Sequence, residues 1–192
     1  KCYKFDVSDY DAVGAGLAQI ESDLGPIDVV VNNAGITWDA PFHRMTKEQW
    51  DKVVDVDLNS AFNVTRQVWD GMRERGFGRV INISSIIGLL VQFGQVYYSA
   101  AKAGLIGFTK ALAQEGAKKG ITVNVGCPGY IDTEMVRAVP ENVLEGIVAT
   151  IPVGRLGKAE EIASMCAYLA SDDAAFITGA TMTVNGAQYI AG

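Results

Sequence analysis

Short runs of β-branched and aliphatic residues recur along this chain, each set off from the next by a longer stretch with helical periodicity. The runs are Ile27-Asp28-Val29-Val30-Val31-Asn32, Arg79-Val80-Ile81-Asn82-Ile83-Ser84, Ile121-Thr122-Val123-Asn124-Val125 and Thr181-Met182-Thr183-Val184. Continuous apolar character over four to six residues suits strands buried on both faces, the condition of a parallel sheet covered by helices. Between the runs, Ser8 or Asp9 can cap a helix reaching about residue 24, where Gly25-Pro26 stops it. Thr46-Lys47-Glu48-Gln49 is a capping box opening a helical pattern to about residue 75. Asp55, Asp57 and Asn59 interrupt its good helix formers, so a bend is expected there. Further helices are expected over 98–119 and 160–170, and Tyr3-Lys4-Phe5-Asp6-Val7 reads as the end of another strand. Strands alternating with helices predict an α/β fold with a doubly wound parallel sheet, in one domain over residues 1–192.

Composition narrows the function. A net charge of −6 with no basic run argues against a nucleic-acid partner. Cys2, Cys127 and Cys166 form no CxxC pair and suit a reducing, cytoplasmic setting. His43, the one histidine, has no cysteine or carboxylate array around it, so no metal site is expected. No apolar run approaches the roughly 18 residues of a membrane span.

Chemistry concentrates at Ser85, Tyr98 and Lys102. Ser85 follows an apolar strand, and ligands of open α/β sheets bind at the carboxyl ends of strands. Tyr98 and Lys102 are four apart, hence side by side on a helix. A phenol with an ordinary pKa near 10 shuttles protons poorly at neutral pH unless its anion is favoured, and a nearby ammonium does that. A serine hydroxyl can hold a carbonyl oxygen within reach of the phenol. Such a trio polarises a C=O for hydride attack, or deprotonates an alcohol for oxidation.

Four motifs in order carry a family resemblance. Asn32-Asn33-Ala34-Gly35, the trio Ser85, Tyr98 and Lys102, Pro128-Gly129 with Ile131-Asp132-Thr133, and Asp6-Val7 together resemble the short-chain dehydrogenases/reductases over essentially the whole chain. The resemblance implies a Rossmann-like fold and hydride transfer between NADPH, or NADH, and a carbonyl or alcohol. It implies that Tyr98 is the general acid, that Lys102 lowers the Tyr98 pKa and meets the nicotinamide ribose, and that Ser85 holds the substrate oxygen. It also places Asp6, Val7, Asn33, Ala34, Gly35, Tyr98, Lys102, Pro128, Gly129, Ile131 and Thr133 against the cofactor.

Two departures from the family pattern stand out. The family's glycine-rich TGxxxGxG turn is absent, so the first strands of the fold are expected to lie on a further N-terminal segment. At roughly 30 residues per strand-helix-strand unit, that segment amounts to about 50–60 residues; without it, Val29–Val31 are expected to form an exposed hydrophobic edge and the strand ending at Val7 to be orphaned. Asp57, 28 residues before Ser85, stands where the family usually has asparagine in its proton path, and joins the candidate catalytic set. Either the carboxylate pairs with Lys102 and alters the relay, or it keeps the ordinary acceptor role.

Within the family, Asn33-Ala34-Gly35-Ile36-Thr37, Gln92-Phe93-Gly94-Gln95, Pro128-Gly129-Tyr130-Ile131 and Ile147-Val148-Ala149-Thr150-Ile151-Pro152-Val153 resemble the acetoacetyl-CoA reductases of polyhydroxyalkanoate synthesis. That implies reduction of a 3-oxoacyl thioester, with Asp39, Gln92, Phe93, Gln95 and Tyr130 lining its pocket and Phe93 packing the acyl chain. Residues 130–151, including Val139, Val143 and Leu144, are expected to form either a substrate lid or a permanently packed excursion. The alternatives are a 3-oxoacyl-[acyl-carrier-protein] reductase and a non-catalytic assembly fragment. Family assembly implies a homotetramer paired through the helices at 46–75 and 98–118.

Overall fold

A computed structural model describes residues 1–190. Its elements in chain order are α1 (Tyr10–Leu24), β1 (Val29–Asn32), α2 (Lys47–Val54), α3 (Ser60–Arg75), β2 (Gly78–Ile83), α4 (Ile87–Leu90), α5 (Val96–Gly116), β3 (Ile121–Pro128), α6 (Glu134–Arg137), α7 (Glu141–Ala149), α8 (Ala159–Ala170) and β4 (Thr181–Val184). The strands lie in sequence order β1-β2-β3-β4, all parallel, with Asn32 beside Asn82 and Asn82 beside Val125. This is the α/β parallel sheet the alternating pattern predicts.

Local signals start and stop the helices as expected. Asp9 caps α1, its carboxylate accepting from the Asp11 and Ala12 amides at 3.0 Å. The Thr46 hydroxyl and Gln49 side chain close a reciprocal box at the start of α2. The expected bend is a π-helical turn, Asp55–Asn59, joining α2 to α3. Such a turn inserts an extra residue into the spiral and rotates the residues after it. Here it carries Asp57 into the interior while Asp55 stays outside.

Strand β2 is buried throughout, and its alternate side chains face two helical layers. Val80 joins Val13, Leu17, Val68, Trp69, Met72 and Ala113 in a core shared with α1, α3 and α5. Ile81 and Ile83 pack with Met165 and Leu169 of α8 on the opposite face. Each such side chain contributes about 1.5–3 kcal/mol by leaving water. A polar seam crosses the first layer. The Asn32 amide donates to Thr65 (3.0 Å) and Asn82 (2.8 Å), and Asn82 donates to Thr109 (2.8 Å). These bonds satisfy buried amides and fix α3 and α5 over the strands.

The first two apolar runs lack a covering neighbour among the described residues. Residues 3–7 form no strand: Asp6 turns back to accept from the Ser8 amide, and Asn63 holds the Val7 carbonyl. No neighbouring strand offers them a ladder among the described residues, so Phe5 and Val7 pack on the core instead. Nor is β1 buried on both faces; Val30 is, but Val29 and Val31 are 41% and 45% exposed at the sheet edge.

Gly120 closes the turn from α5 into β3 with φ +69°, and a Cβ there would overlap the Gly76 carbonyl oxygen. Gly120→Ala is therefore expected to destabilise the fold by more than about 1 kcal/mol, read as a lower urea midpoint with unchanged slope.

Candidate active site

The carboxyl ends of β2 and β3, capped by α5, assemble the candidate trio. Beyond β2, the Ser84 hydroxyl donates to the Lys102 carbonyl (2.8 Å), tying the strand end to α5. The Ser85 oxygen accepts from the Ile87 amide (3.1 Å) and faces the Tyr98 phenol. One helical turn from Tyr98, the Lys102 ammonium lies 5.5 Å from the centre of its ring. Helix α4 presses on this turn so closely that a Cβ at Gly88 would come within 2.9 Å of the Lys102 carbonyl carbon.

Lys102 is only 3% exposed and Asp57 only 1%. A buried charge needs a partner, and each is the other's. The ammonium sits 3.2 Å from Asp57 Oδ2 and donates to the Ile83 carbonyl at 3.1 Å. Asp57 Oδ1 accepts from the Ile36 amide at 2.8 Å, whereas Oδ2 has no in-line donor, so its contact with Lys102 is chiefly Coulombic. Gly35 lies against the pair; a Cβ there would be 3.1 Å from both Asp57 Oδ2 and the Lys102 ammonium. Asp57 thus pairs with Lys102 through Oδ2 and keeps an acceptor role through Oδ1.

Burial dominates the electrostatics at Tyr98. Burial, and next the Asp57 charge, push its phenol up to about 12, with Ser85 acting in the other direction. Burial also raises the Asp57 carboxyl, against the opposing pull of Lys102 and the Ile36 amide.

A cavity of about 450 Å³ opens beside the trio. Ser85 and Tyr98 line one wall, with Asp39, Gln92, Gln95 and Tyr130 around them. The Gln95 amide donates to Asp39 (2.8 Å) and the Tyr130 hydroxyl to Gln92 (3.1 Å), so these polar groups are held in pairs. Val136 of α6, Val139 of the connection that follows, and Val143 and Ile147 of α7 form the apolar wall. Phe93 does not line the cavity; it is 88% exposed, and these aliphatic residues stand where it was expected to pack. Sequence reasoning missed Thr37, Ile86, Ile87 and Val136 in the lining. The 136, 139, 143, 147 spacing, an apolar stripe at helical period, was the available signal.

The residues expected at a cofactor gather on the same edge. Asn33, Ala34 and Gly35 follow β1, while Pro128, Gly129, Ile131 and Thr133 end or follow β3. Asp6 and Val7 lie before α1, near α3. These residues fit a nicotinamide dinucleotide: Gly35 leaves backbone beside the Lys102 ammonium, and Tyr98 and Lys102 supply donors suited to ribose hydroxyls. No group of His, Cys, Asp and Glu able to hold a metal occurs among the described residues. No helix is long and apolar enough to cross a membrane, again among the described residues.

Residues 1–187 match the family described as "Enoyl-(Acyl carrier protein) reductase", and the chain belongs to the short-chain dehydrogenases/reductases, nicotinamide-dinucleotide-dependent oxidoreductases. Among its relatives is the acetoacetyl-CoA reductase of Rhizobium meliloti (strain 1021), 64% identical over 98% of this chain and 79% of that protein. The acetoacetyl-CoA reductase of Shinella zoogloeoides is 63% identical, over 97% and 78%. The 3-oxoacyl-[acyl-carrier-protein] reductase FabG of Escherichia coli (strain K12) is 46% identical, over 96% and 76%.

The raised Asp57 carboxyl has a consequence for stability. As pH rises past its ordinary value of 3.8, the unfolded chain releases this proton before the folded one does, so folded stability falls across the interval. Asp57→Asn abolishes that dependence. As pH rises above about 4, the variant's stability should fall less than that of wild type, as paired urea titrations would show; parallel pH curves would contradict it.

Proposed function

We propose that this protein reduces the 3-oxo group of a short acyl-CoA thioester, acetoacetyl-CoA to 3-hydroxybutyryl-CoA, with NADPH as the reductant. The observation that carries the reading is a cavity with Ser85 and Tyr98 on one wall and a stripe of small aliphatic side chains on another. A polar 3-oxo thioester and a short alkyl tail match those two walls. The two reductases most similar above are named for acetoacetyl-CoA and exceed the carrier-protein enzyme in identity by 17 points or more.

The chemistry follows from the residues in place. Ser85 holds the carbonyl oxygen by a hydrogen bond, and Tyr98 gives that oxygen its proton. Lys102 orients the nicotinamide ribose, with the segments at 33–35 and 128–133 flanking the nucleotide. A bound nicotinamide dinucleotide supplies the hydride. Gln92, Gln95 and Tyr130 bond the thioester's polar groups, and Asp39 holds Gln95 in position. Asp57 acts through Lys102. The α6–α7 segment encloses the acyl chain and excludes water from the reacting centre. The reading extends to a cytoplasmic homotetramer assembled through α2–α3 and α5, whose product feeds polyhydroxyalkanoate synthesis. An assembled trio beside a cavity weighs against a purely non-catalytic role.

NADPH oxidation followed spectrophotometrically tests the reading. Acetoacetyl-CoA should show the higher kcat/KM, and acetoacetyl-carrier protein the lower; the reverse order would move the assignment to the carrier-protein substrate. Tyr98→Phe should lower turnover by about 10²–10⁴ while leaving the far-ultraviolet circular dichroism unchanged.

A further inference from the structure

The Asp57–Lys102 pair is more than a way to bury two charges, because of what lies beside it. The Tyr98 ring is on the same helical face as Lys102, with the ammonium 5.5 Å from its centre. A lone ammonium at that distance stabilises a phenolate. An ammonium with a carboxylate 3.2 Å away presents the phenol with a dipole whose net charge is zero. We infer that Asp57 sets the pH at which Tyr98 ionises: paired with Lys102, it cancels the ammonium's influence on Tyr98 and keeps the phenol protonated, so the anion forms only at higher pH. The inference deepens the reductase reading, and its consequence for the pH dependence of turnover rests on that reading.

The other charged and titratable groups around Tyr98 do not supply this effect. Asp39, from the loop after β1, acts on the phenol less than Asp57 does and is engaged by the Gln95 amide. Tyr130, beyond β3, contributes less again. Ser85, beyond β2, favours the phenolate. Cys127 of β3 faces Lys102, but burial raises its thiol and keeps it uncharged. Lys102 is the positive group beside the phenol, and Asp57 is the anion matched to it.

Position argues that the pairing is built in. Asp57 sits in the π-helical turn, which turns it inward between two α-helices, and the Ile36 amide fixes Oδ1 so that Oδ2 faces the ammonium. Asp57 is thus a positioning residue that works through Lys102. In the reductive direction the Tyr98 O–H bond breaks, its proton passes to the carbonyl-derived oxygen, and the phenolate left behind regains a proton from water. A phenol whose anion is poorly stabilised is present as the proton donor across the neutral range, and its phenolate readily regains a proton. The oxidative direction must begin from that anion and therefore calls for a higher pH.

The test needs neither cofactor nor substrate. Subtracting the ultraviolet phenolate titration of Tyr98→Phe from that of wild type isolates one phenol among the seven tyrosines. It is expected to ionise above the ordinary tyrosine value of about 10. In Asp57→Asn the same difference, taken against Asp57→Asn/Tyr98→Phe, should move to lower pH, giving at least about tenfold more phenolate at a given alkaline pH. A wild-type phenol that ionises near neutrality, or one that Asp57→Asn leaves in place, overturns the inference. The first measurement uses no Asp57 variant, so it decides even if Asp57→Asn folds poorly. In turnover, the pH profile of 3-hydroxyacyl-CoA oxidation should shift to lower pH in Asp57→Asn. A protein that turns over a different thioester would leave the titration result standing, so the two readings fail separately.

Discussion

Everything at the functional end of this molecule depends on how β2 is held. The strand is buried along its whole length, paired in parallel to β1 and β3, and covered by α3 and α5 on one face and α8 on the other. A strand so enclosed has no freedom of register, because a shift of one residue would exchange the Val80 and Ile81 faces. Its carboxyl end therefore delivers Ser84 and Ser85 to one place. The Ser84 bond to the Lys102 carbonyl, and the Asn82 bond to Thr109, carry that placement into α5. The functional geometry is thus inherited from the sheet, and not held by a loop of its own.

Burial of charge is the second constraint. The interior that fixes the trio also strips water from Asp57 and Lys102, and ions without water must be neutralised or paired. Pairing reconciles a buried ammonium with a stable core, and it changes what the ammonium does. A cation matched at 3.2 Å by a carboxylate is a poor activator of the neighbouring phenol.

Much of the fold was legible because periodicity is local. The capping box at Thr46, the interruption at 55–59, the last strand at 181–184 and the element order all appear where the residue pattern places them. The misreadings share a cause. Residues 3–7 have strand-like composition, but a strand exists only with a neighbour to pair with. Phe93 is apolar and close to Gln92 and Gln95 in the chain, yet it points into solvent while residues from 136 onward fill the apolar wall. Composition reports what a side chain prefers, and the approach of distant segments decides whether the preference is met.

The division is clearest at the site itself. Tyr98 and Lys102 share a helical face because they are four residues apart, so their proximity was settled by sequence alone. Asp57 lies 45 positions before Lys102, and nothing in the local pattern brings them together. Their contact exists because a π-helical turn aims Asp57 inward and α5 packs across it. Sequence determined which elements form and which chemical groups they carry. Tertiary packing decided which charges face one another, because Coulomb energy in a dry interior depends on distances that only the folded chain sets.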